Sequence, residues 1–251
     1  MNNNLKLYFD KLYYINLDED TRKKHYFNEQ IASSNLLQKY MVRYDAVIGK
    51  YLDIRLVPDS VVTREARDEV INKKQKQYGV SLTYGSLACA LSHYLIYQEC
   101  ASSLKPFLVV EDDIVIDATF DEKLLRIMQH VAKSKVKYDI LYLGYNDIPG
   151  FKKKILNDVL SQPKGLITGL YSYIISPIGA QKMLDFVFPL RYQIDSEISH
   201  NEERLKLLCA TNPIADVRTD FGSKTQNDSS CQNVYPIKSN IITNNWMKLF
   251  S

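Results

Sequence analysis

An apolar run, Phe107-Leu108-Val109-Val110, enters three consecutive acids, Glu111-Asp112-Asp113, and a second apolar run, Ile114-Val115-Ile116, leaves them. The first run is short, rich in β-branched residues and preceded by Pro106, which predicts a buried strand. The carboxylates then stand where a parallel strand would end, the edge at which open α/β sheets bind ligands. Adjacent carboxylates repel one another and are costly to desolvate. A hard divalent cation relieves both problems, because it prefers oxygen ligands. The segment therefore suits a metal that holds a phosphate-bearing substrate. It suits a solvated acidic turn after a strand equally well, and taken alone does not separate the two.

The rest of the chain supplies the context. Strand-like segments alternate with helix-like ones. Leu12 to Leu17 reads as a first strand, and Asp18-Glu19-Asp20-Thr21 can start a helix with Arg22 to Leu37 as its body. Val42 to Val47 reads as a second strand closed by Gly49, and residues 58–80 are charged and helix-compatible. Gly85 to Cys100 forms a helix in which Leu87, Leu91, Tyr94, Leu95 and Gln98 make a mainly apolar stripe. Leu124 to Val136 is a further helix and Asp139 to Leu143 a further buried strand. Leu166 to Ser176 reads as one or two strands, and Ile178 to Phe186 as helix. This alternation predicts an α/β fold with a mostly parallel central sheet. At 251 residues the chain can bury a full core, and no repeat or linker divides it.

Composition excludes several classes. The net charge is only +3, and the short basic runs Lys152-Lys153-Lys154 and Lys73-Lys74-Gln75-Lys76 read as solvated faces. No signature of RNA or DNA binding accompanies them, so no nucleic-acid partner is expected. The four cysteines, Cys89, Cys100, Cys209 and Cys231, form no CxxC pair, which argues against a zinc site. Cys89 and Cys100 sit in apolar helical surroundings and read as buried thiols. Met1 to Lys6 lacks a signal-peptide core and no run reaches the length of a membrane span, so a cytoplasmic setting is expected. The aromatic stretch Asn244 to Phe250 either docks on the body of the protein or brushes the inner face of a membrane, with docking favoured.

Four constellations can carry chemistry. Asn16-Leu17-Asp18 ends the first strand, where a nucleotide commonly lies, and Arg22 could pair with a phosphate. A capped helix bearing a surface arginine fits the same residues. Gly85 lets the backbone turn into its helix, and Ser92-His93 could contact a sugar hydroxyl or a phosphate. Neighbouring helical residues point apart, so the Ser92-His93 pair is no catalytic dyad. On an extended path Glu111 and Asp113 share a face while Asp112 points away. Asp113 is then the first candidate metal ligand, Glu111 the second, and Asp112 is placed to hold ribose. Finally, Asp195 is a candidate base for an acceptor hydroxyl with Glu197 in reserve. An N-cap role for Asp195 is the plain alternative.

In order along the chain, these segments resemble glycosyltransferase family 25, the lipooligosaccharide and procollagen sugar transferases. The resemblance rests on Tyr14-Ile15-Asn16-Leu17-Asp18, Asp45-Ala46-Val47-Ile48-Gly49, Leu82 to His93, Leu108 to Asp113, Asp139 to Gly144, Gly169 to Ser176 with Gly179-Ala180, and Asp195. It covers about residues 12 to 230, leaving 231–251 as a C-terminal extension. Ser86 and Ala88 stand where bacterial members often carry Glu and Gly. Leu170 and Ser172 also depart from the family pattern.

The resemblance implies a single GT-A-type, Rossmann-like domain and a divalent cation, Mn2+ or Mg2+. It implies inverting transfer from UDP-galactose or UDP-glucose to a glycan, a lipid-linked saccharide or a hydroxylysine-type acceptor. Glu111 and Asp113 would then hold the metal. Asn16, Leu17, Asp18, Arg22, Gly85, Ser92, His93 and Asp112 would hold the donor, and Asp195 would act as base. The rival readings are a nucleotide-sugar-binding module of the same fold without turnover, and a metal-dependent phosphohydrolase. The latter has no use for the Gly85 to His93 segment.

Overall fold

The computed structural model describes residues 5–72, 81–146, 148 and 151–221. The run Lys73 to Lys76, Cys231 and the stretch Asn244 to Phe250 lie outside them.

The chain opens with β1 (Lys11–Asn16), α1 (Thr21–Ile31), α2 (Asn35–Tyr40) and β2 (Val42–Asp45). After α3 (Arg64–Ile71) and the long α4 (Tyr84–Ala101) come β3 (Phe107–Glu111), β4 (Ile114–Val115) and α5 (Phe120–Ser134). Next are β5 (Ile140–Tyr142), β6 (Lys152–Ile155), β7 (Leu160–Lys164), β8 (Ser172–Ile175) and α6 (Pro177–Lys182). The last elements described are α7 (Ile194–His200), β9 (Leu207–Ala210) and β10 (Asp216–Val217).

Eight strands form one sheet in the order β2-β1-β3-β8-β5-β9-β7-β6, while β4 and β10 pair separately. Successive residues of the central strands leave on opposite faces, as the pleat requires. Phe107, Val109, Tyr173 and Ile175 enter one core with Leu87 and Leu91 of α4 and Ile198 of α7. Leu108, Val110 and Ile174 enter the other with Phe27 of α1, Leu37 of α2 and Leu124 of α5. The sheet is thus covered by helices on both faces, the α/β arrangement expected.

The expected strand direction needs correction: the sheet is mixed. β1 runs parallel to β2 and β3, and β5 runs parallel to β9. β8 is antiparallel to both β3 and β5, and β7 is antiparallel to β6 and β9. A strand buried on both faces reads as a continuous apolar run whichever way it points, so β8 carries no sign of its direction. The segment 166–176 yields one strand there. The predicted 22–37 helix is two, with Ser34 capping the second. The helix predicted from Ile178 is α6 followed by a π-helical turn, Met183–Val187.

Some motif residues serve this architecture. Asp139 is 2% exposed and accepts bonds from Lys182 Nζ at 2.6 Å and Lys206 N at 2.7 Å. A Cβ on Gly179 would lie 2.1 Å from the Asp139 carbonyl oxygen, so only glycine lets α6 approach β5 this closely. Asp139→Ala leaves Lys182 without its carboxylate partner and the Lys206 amide without its side-chain acceptor. It is expected to cost about 3 kcal/mol in urea denaturation. The Lys152 to Lys154 run forms the exposed edge strand β6, where lysines discourage pairing with another chain.

Candidate active site

The strand order reverses at β1, with β2 on one side and β3 on the other, all three parallel. The C-terminal ends of β1 and β3 therefore open onto one crevice, the place where such sheets bind ligands. Asn16 closes β1, and Glu111 closes β3 directly beside Ile15. A cavity of about 750 Å³ lies there, bounded also by α4, the loop before β8 and the start of α7. That volume is within the ordinary range of small-molecule sites.

All three acids line this cavity. The extended path ends at Glu111, so the expected alternation does not carry through Asp112 and Asp113. Asp112 turns inward and is 7% exposed. Its Oδ2 accepts from Asn16 Nδ2 at 2.7 Å, and its Oδ1 lies 3.1 Å from Lys23 Nζ. Asp113 Oδ2 accepts from Lys23 Nζ at 2.7 Å, whereas its buried Oδ1 has no hydrogen-bond partner among the described residues. Burial, then the charge of Glu111, pushes the Asp113 carboxyl up to about 6. Burial also raises Asp112 above its ordinary value, against the pull of Lys23. For Glu111 burial acts upward, but the nearby His93, with Nε2 3.5 Å from Oε1, and then Lys23 outweigh it and hold the group low.

Helix α4 begins with a reciprocal cap: Thr83 N donates to Ser86 Oγ at 2.7 Å and Ser86 N to Thr83 Oγ1 at 3.0 Å. Its next turns present Gly85, Cys89, Ser92 and His93 to the cavity at helical spacing. Ser92 and His93 point apart, as expected. Ser92 Oγ accepts from Val47 N at 2.9 Å and so ties down the loop after β2. His93 is fully buried, with Nδ1 2.8 Å from the Tyr173 hydroxyl and Nε2 3.5 Å from Glu111 Oε1. Among the described residues its Nε2 has no hydrogen-bond partner.

Across the cavity stands Asp195, inside the first turn of α7; the N-cap is Gln193. Asp195 Oδ2 accepts from Gly169 N at 3.1 Å, and its buried Oδ1 has no partner among the described residues. Burial pushes Asp195 up to about 6, the Gly169 bond pulls it down, and the Glu111 charge adds to the rise. Gly169 has φ +97°, and a Cβ there would lie 2.6 Å from Tyr171 Cε1. Gly169→Ala is expected to lose about 1–3 kcal/mol of stability by urea denaturation.

Nine of the twelve residues proposed from the sequence line the cavity: Asn16, Leu17, Gly85, Ser92, His93, Glu111, Asp112, Asp113 and Asp195. Three do not. Asp18 pairs with Arg43 at 2.9 Å. Arg22 stacks its guanidinium 4.6 Å from the Phe221 ring centroid. Glu197 is 1% exposed and accepts from the backbone of Arg191 and Tyr192 and from the Arg191 side chain, so it braces the turn before α7.

Lys23 and Cys89 also line the cavity and are not among the residues proposed from the sequence. Lys23, one place beyond Arg22, is turned about 100° around the helix and faces the acids. Cys89 was expected to be an inert buried thiol, yet it lines the cavity. One ligand atom each from Cys89, His93 and Glu111 lie within 4.8 Å of one another. The i, i+4 spacing of Cys89 and His93 on one helix was the available signal.

The donor set fits a hard divalent cation. Burial and the Glu111 charge push the Cys89 thiol well up, so it keeps its proton and is a poor ligand. The anionic donors are carboxylates, which suit magnesium- or manganese-type ions. Asp113 Oδ1, Asp195 Oδ1 and His93 Nε2 are buried atoms of cavity-lining residues with no partner among the described residues.

Comparison with known proteins identifies a family. A family model described as "Glycosyltransferase family 25 (LPS biosynthesis protein)" matches residues 9–198. Procollagen galactosyltransferase 1-B of Xenopus laevis is 27% identical over 232 residues, covering 87% of this chain and 34% of the frog protein. Procollagen galactosyltransferase 1 of Danio rerio is 28% identical over 187 residues, covering 71% of this chain and 29% of its own. The human "Inactive glycosyltransferase 25 family member 3" is 34% identical over 112 residues, covering 42% of this chain and 18% of its own. The chain spans about a third of the length of the frog relative.

Proposed function

Because the chain belongs to glycosyltransferase family 25, we propose that it transfers a hexose, galactose or glucose, from a UDP-sugar to an acceptor hydroxyl with inversion. The acceptor is a saccharide, free or lipid-linked, or a hydroxylysine-type side chain, and the fold is of the GT-A type. The reading rests above all on one observation: Glu111, Asp112 and Asp113, at and just beyond the end of β3, line the same cavity as Asp195. A galactosyl donor is favoured, in keeping with the frog and zebrafish relatives.

The chain's own groups divide the work. Asn16 and Asp112 form a buried polar pair at the donor end, with Asp112 set to meet a ribose hydroxyl. Glu111 and Asp113 would hold the cation, which when bound supplies positive charge to the departing diphosphate. Asp195 Oδ1 takes the proton of the acceptor hydroxyl. The acceptor oxygen then bonds to the anomeric carbon as the bond from that carbon to the diphosphate oxygen breaks, its electron pair leaving with UDP. Holding both substrates in line lowers the barrier further.

The human relative named as inactive keeps a second reading alive, a nucleotide-sugar-binding module without turnover. Ser86 weighs against it, because that departure from the family pattern sits in the cap of α4 and leaves the acids intact. Calorimetric binding of UDP combined with UDP release from UDP-galactose and UDP-glucose separates the readings. Release with one donor, in the presence of a collagen peptide bearing hydroxylysine or of a saccharide acceptor, supports the transferase. Binding with no release from either donor supports the module.

A further inference from the structure

The acidic pair already holds a cation that belongs to the chain. Lys23 Nζ lies 3.1 Å from Asp112 Oδ1 and 2.7 Å from Asp113 Oδ2, with its side chain only 13% exposed. The position is built. Asp20 caps α1 by accepting from Lys23 N at 3.1 Å, which fixes the first turn of the helix and aims residue 23 at the end of β3. Asp112 is pinned from its other side by Asn16, whose Nδ2 donates at 2.7 Å. Burial would lower the lysine, but Asp113 and then Asp112 outweigh it and hold the ammonium above the ordinary lysine range.

An ammonium and a divalent cation cannot share two carboxylates at low cost, since their charges repel at this range. Asp113 offers a metal only its unpartnered Oδ1 while Lys23 keeps Oδ2. A polyanion resolves the conflict. A diphosphate gives the lysine another partner and gives the metal further oxygen ligands.

We infer that Lys23 is a placeholder cation, which occupies Asp112 and Asp113 in the nucleotide-free protein, weakens metal binding there, and moves to the diphosphate when nucleotide and metal enter together. The inference rests on the UDP-sugar reading given above. By linkage, nucleotide and metal then bind with positive cooperativity, and Lys23 carries most of the coupling. Lys23 is a positioning residue in this role: it governs when the carboxylates are free.

The test is Mn2+ binding, measured by electron paramagnetic resonance of the free ion, with and without UDP. Wild type, Lys23→Gln and Lys23→Arg are compared. Lys23→Gln is expected to bind Mn2+ alone about tenfold tighter than wild type or more, and to lose most of the enhancement by UDP. Lys23→Arg keeps the charge and should resemble wild type. Should Lys23→Gln fail to fold, Lys23→Gln/Asp112→Asn removes one charge of each sign, and it is compared with Asp112→Asn under the same expectation. Unchanged or weaker Mn2+ binding in the glutamine variants overturns the placeholder role while leaving the transferase reading standing. Absence of Mn2+ binding to wild type even with UDP overturns the metal-dependent reading itself.

Discussion

Asp113→Ala is expected to abolish sugar transfer, lowering the rate of UDP release by about 10³-fold or more, while the protein stays folded. Of the three acids after Val110, Asp113 is the one with a buried oxygen that has no hydrogen-bond partner among the described residues. Asp112, by contrast, spends both oxygens on Asn16 and Lys23. Loss of Asp113 leaves Lys23 paired with Asp112, so no ammonium is stranded in the interior. The cost therefore falls on the leaving group and not on the fold. Initial rates at saturating UDP-galactose and Mn2+, read beside a circular-dichroism melt, check both halves. Undiminished transfer in this variant would remove Asp113 from the cation site.

Asp195→Asn is expected to be inactive and more stable at once. As the base, Asp195 supplies about 10²–10⁴-fold in rate, which an amide cannot replace. Its carboxyl titrates at about 6 in the folded protein, against about 3.9 in an unfolded chain. The folded state thus holds its proton more tightly than the unfolded state. Ionisation of this group costs nothing below about pH 4, costs progressively more between 4 and 6, and costs its full amount above 6. Asparagine can still accept from Gly169 N and carries no charge to desolvate. The variant should gain on the order of 1–2 kcal/mol at pH 8 and nothing at pH 4. In the wild type, log rate should climb with pH to a plateau just above 6. Urea denaturation at pH 4, 6 and 8, with a pH–rate profile, tests this. A variant less stable than wild type at pH 8 would show that the buried carboxylate serves the fold.

The acid centre was legible because the apolar-to-acid transition at Val110-Glu111 needs only local pattern to be read. Helix α4 was legible for the same reason, through its spacing. Direction was not: β8 is apolar on both faces, and nothing in Ser172 to Ile175 says that it runs against its neighbours. The β6–β7 hairpin was missed because Pro163 interrupts the pattern. In the structure Pro163 pairs with Lys153, beyond the end of the β7–β9 ladder, where no donor is required. In the site, Lys23 lines the cavity where the sequence pointed to Arg22, because one position at a helix start is about 100° of rotation. Glu197 drew attention as an acid near Asp195, but its role depends on Arg191 and a turn whose closure is tertiary. Cys89 read as a buried thiol because the carboxylate beside it, Glu111, comes from strand β3, distant in sequence.

The most direct test of the central claim is UDP release from UDP-galactose by the wild-type protein with an acceptor present, measured with Mn2+ and again with EDTA. Release that requires Mn2+ and returns when the ion is restored is the predicted result. Release at an equal rate in EDTA would contradict a cation held by Glu111 and Asp113. Absence of release from either UDP-hexose with every acceptor class would contradict hexosyl transfer at this cavity.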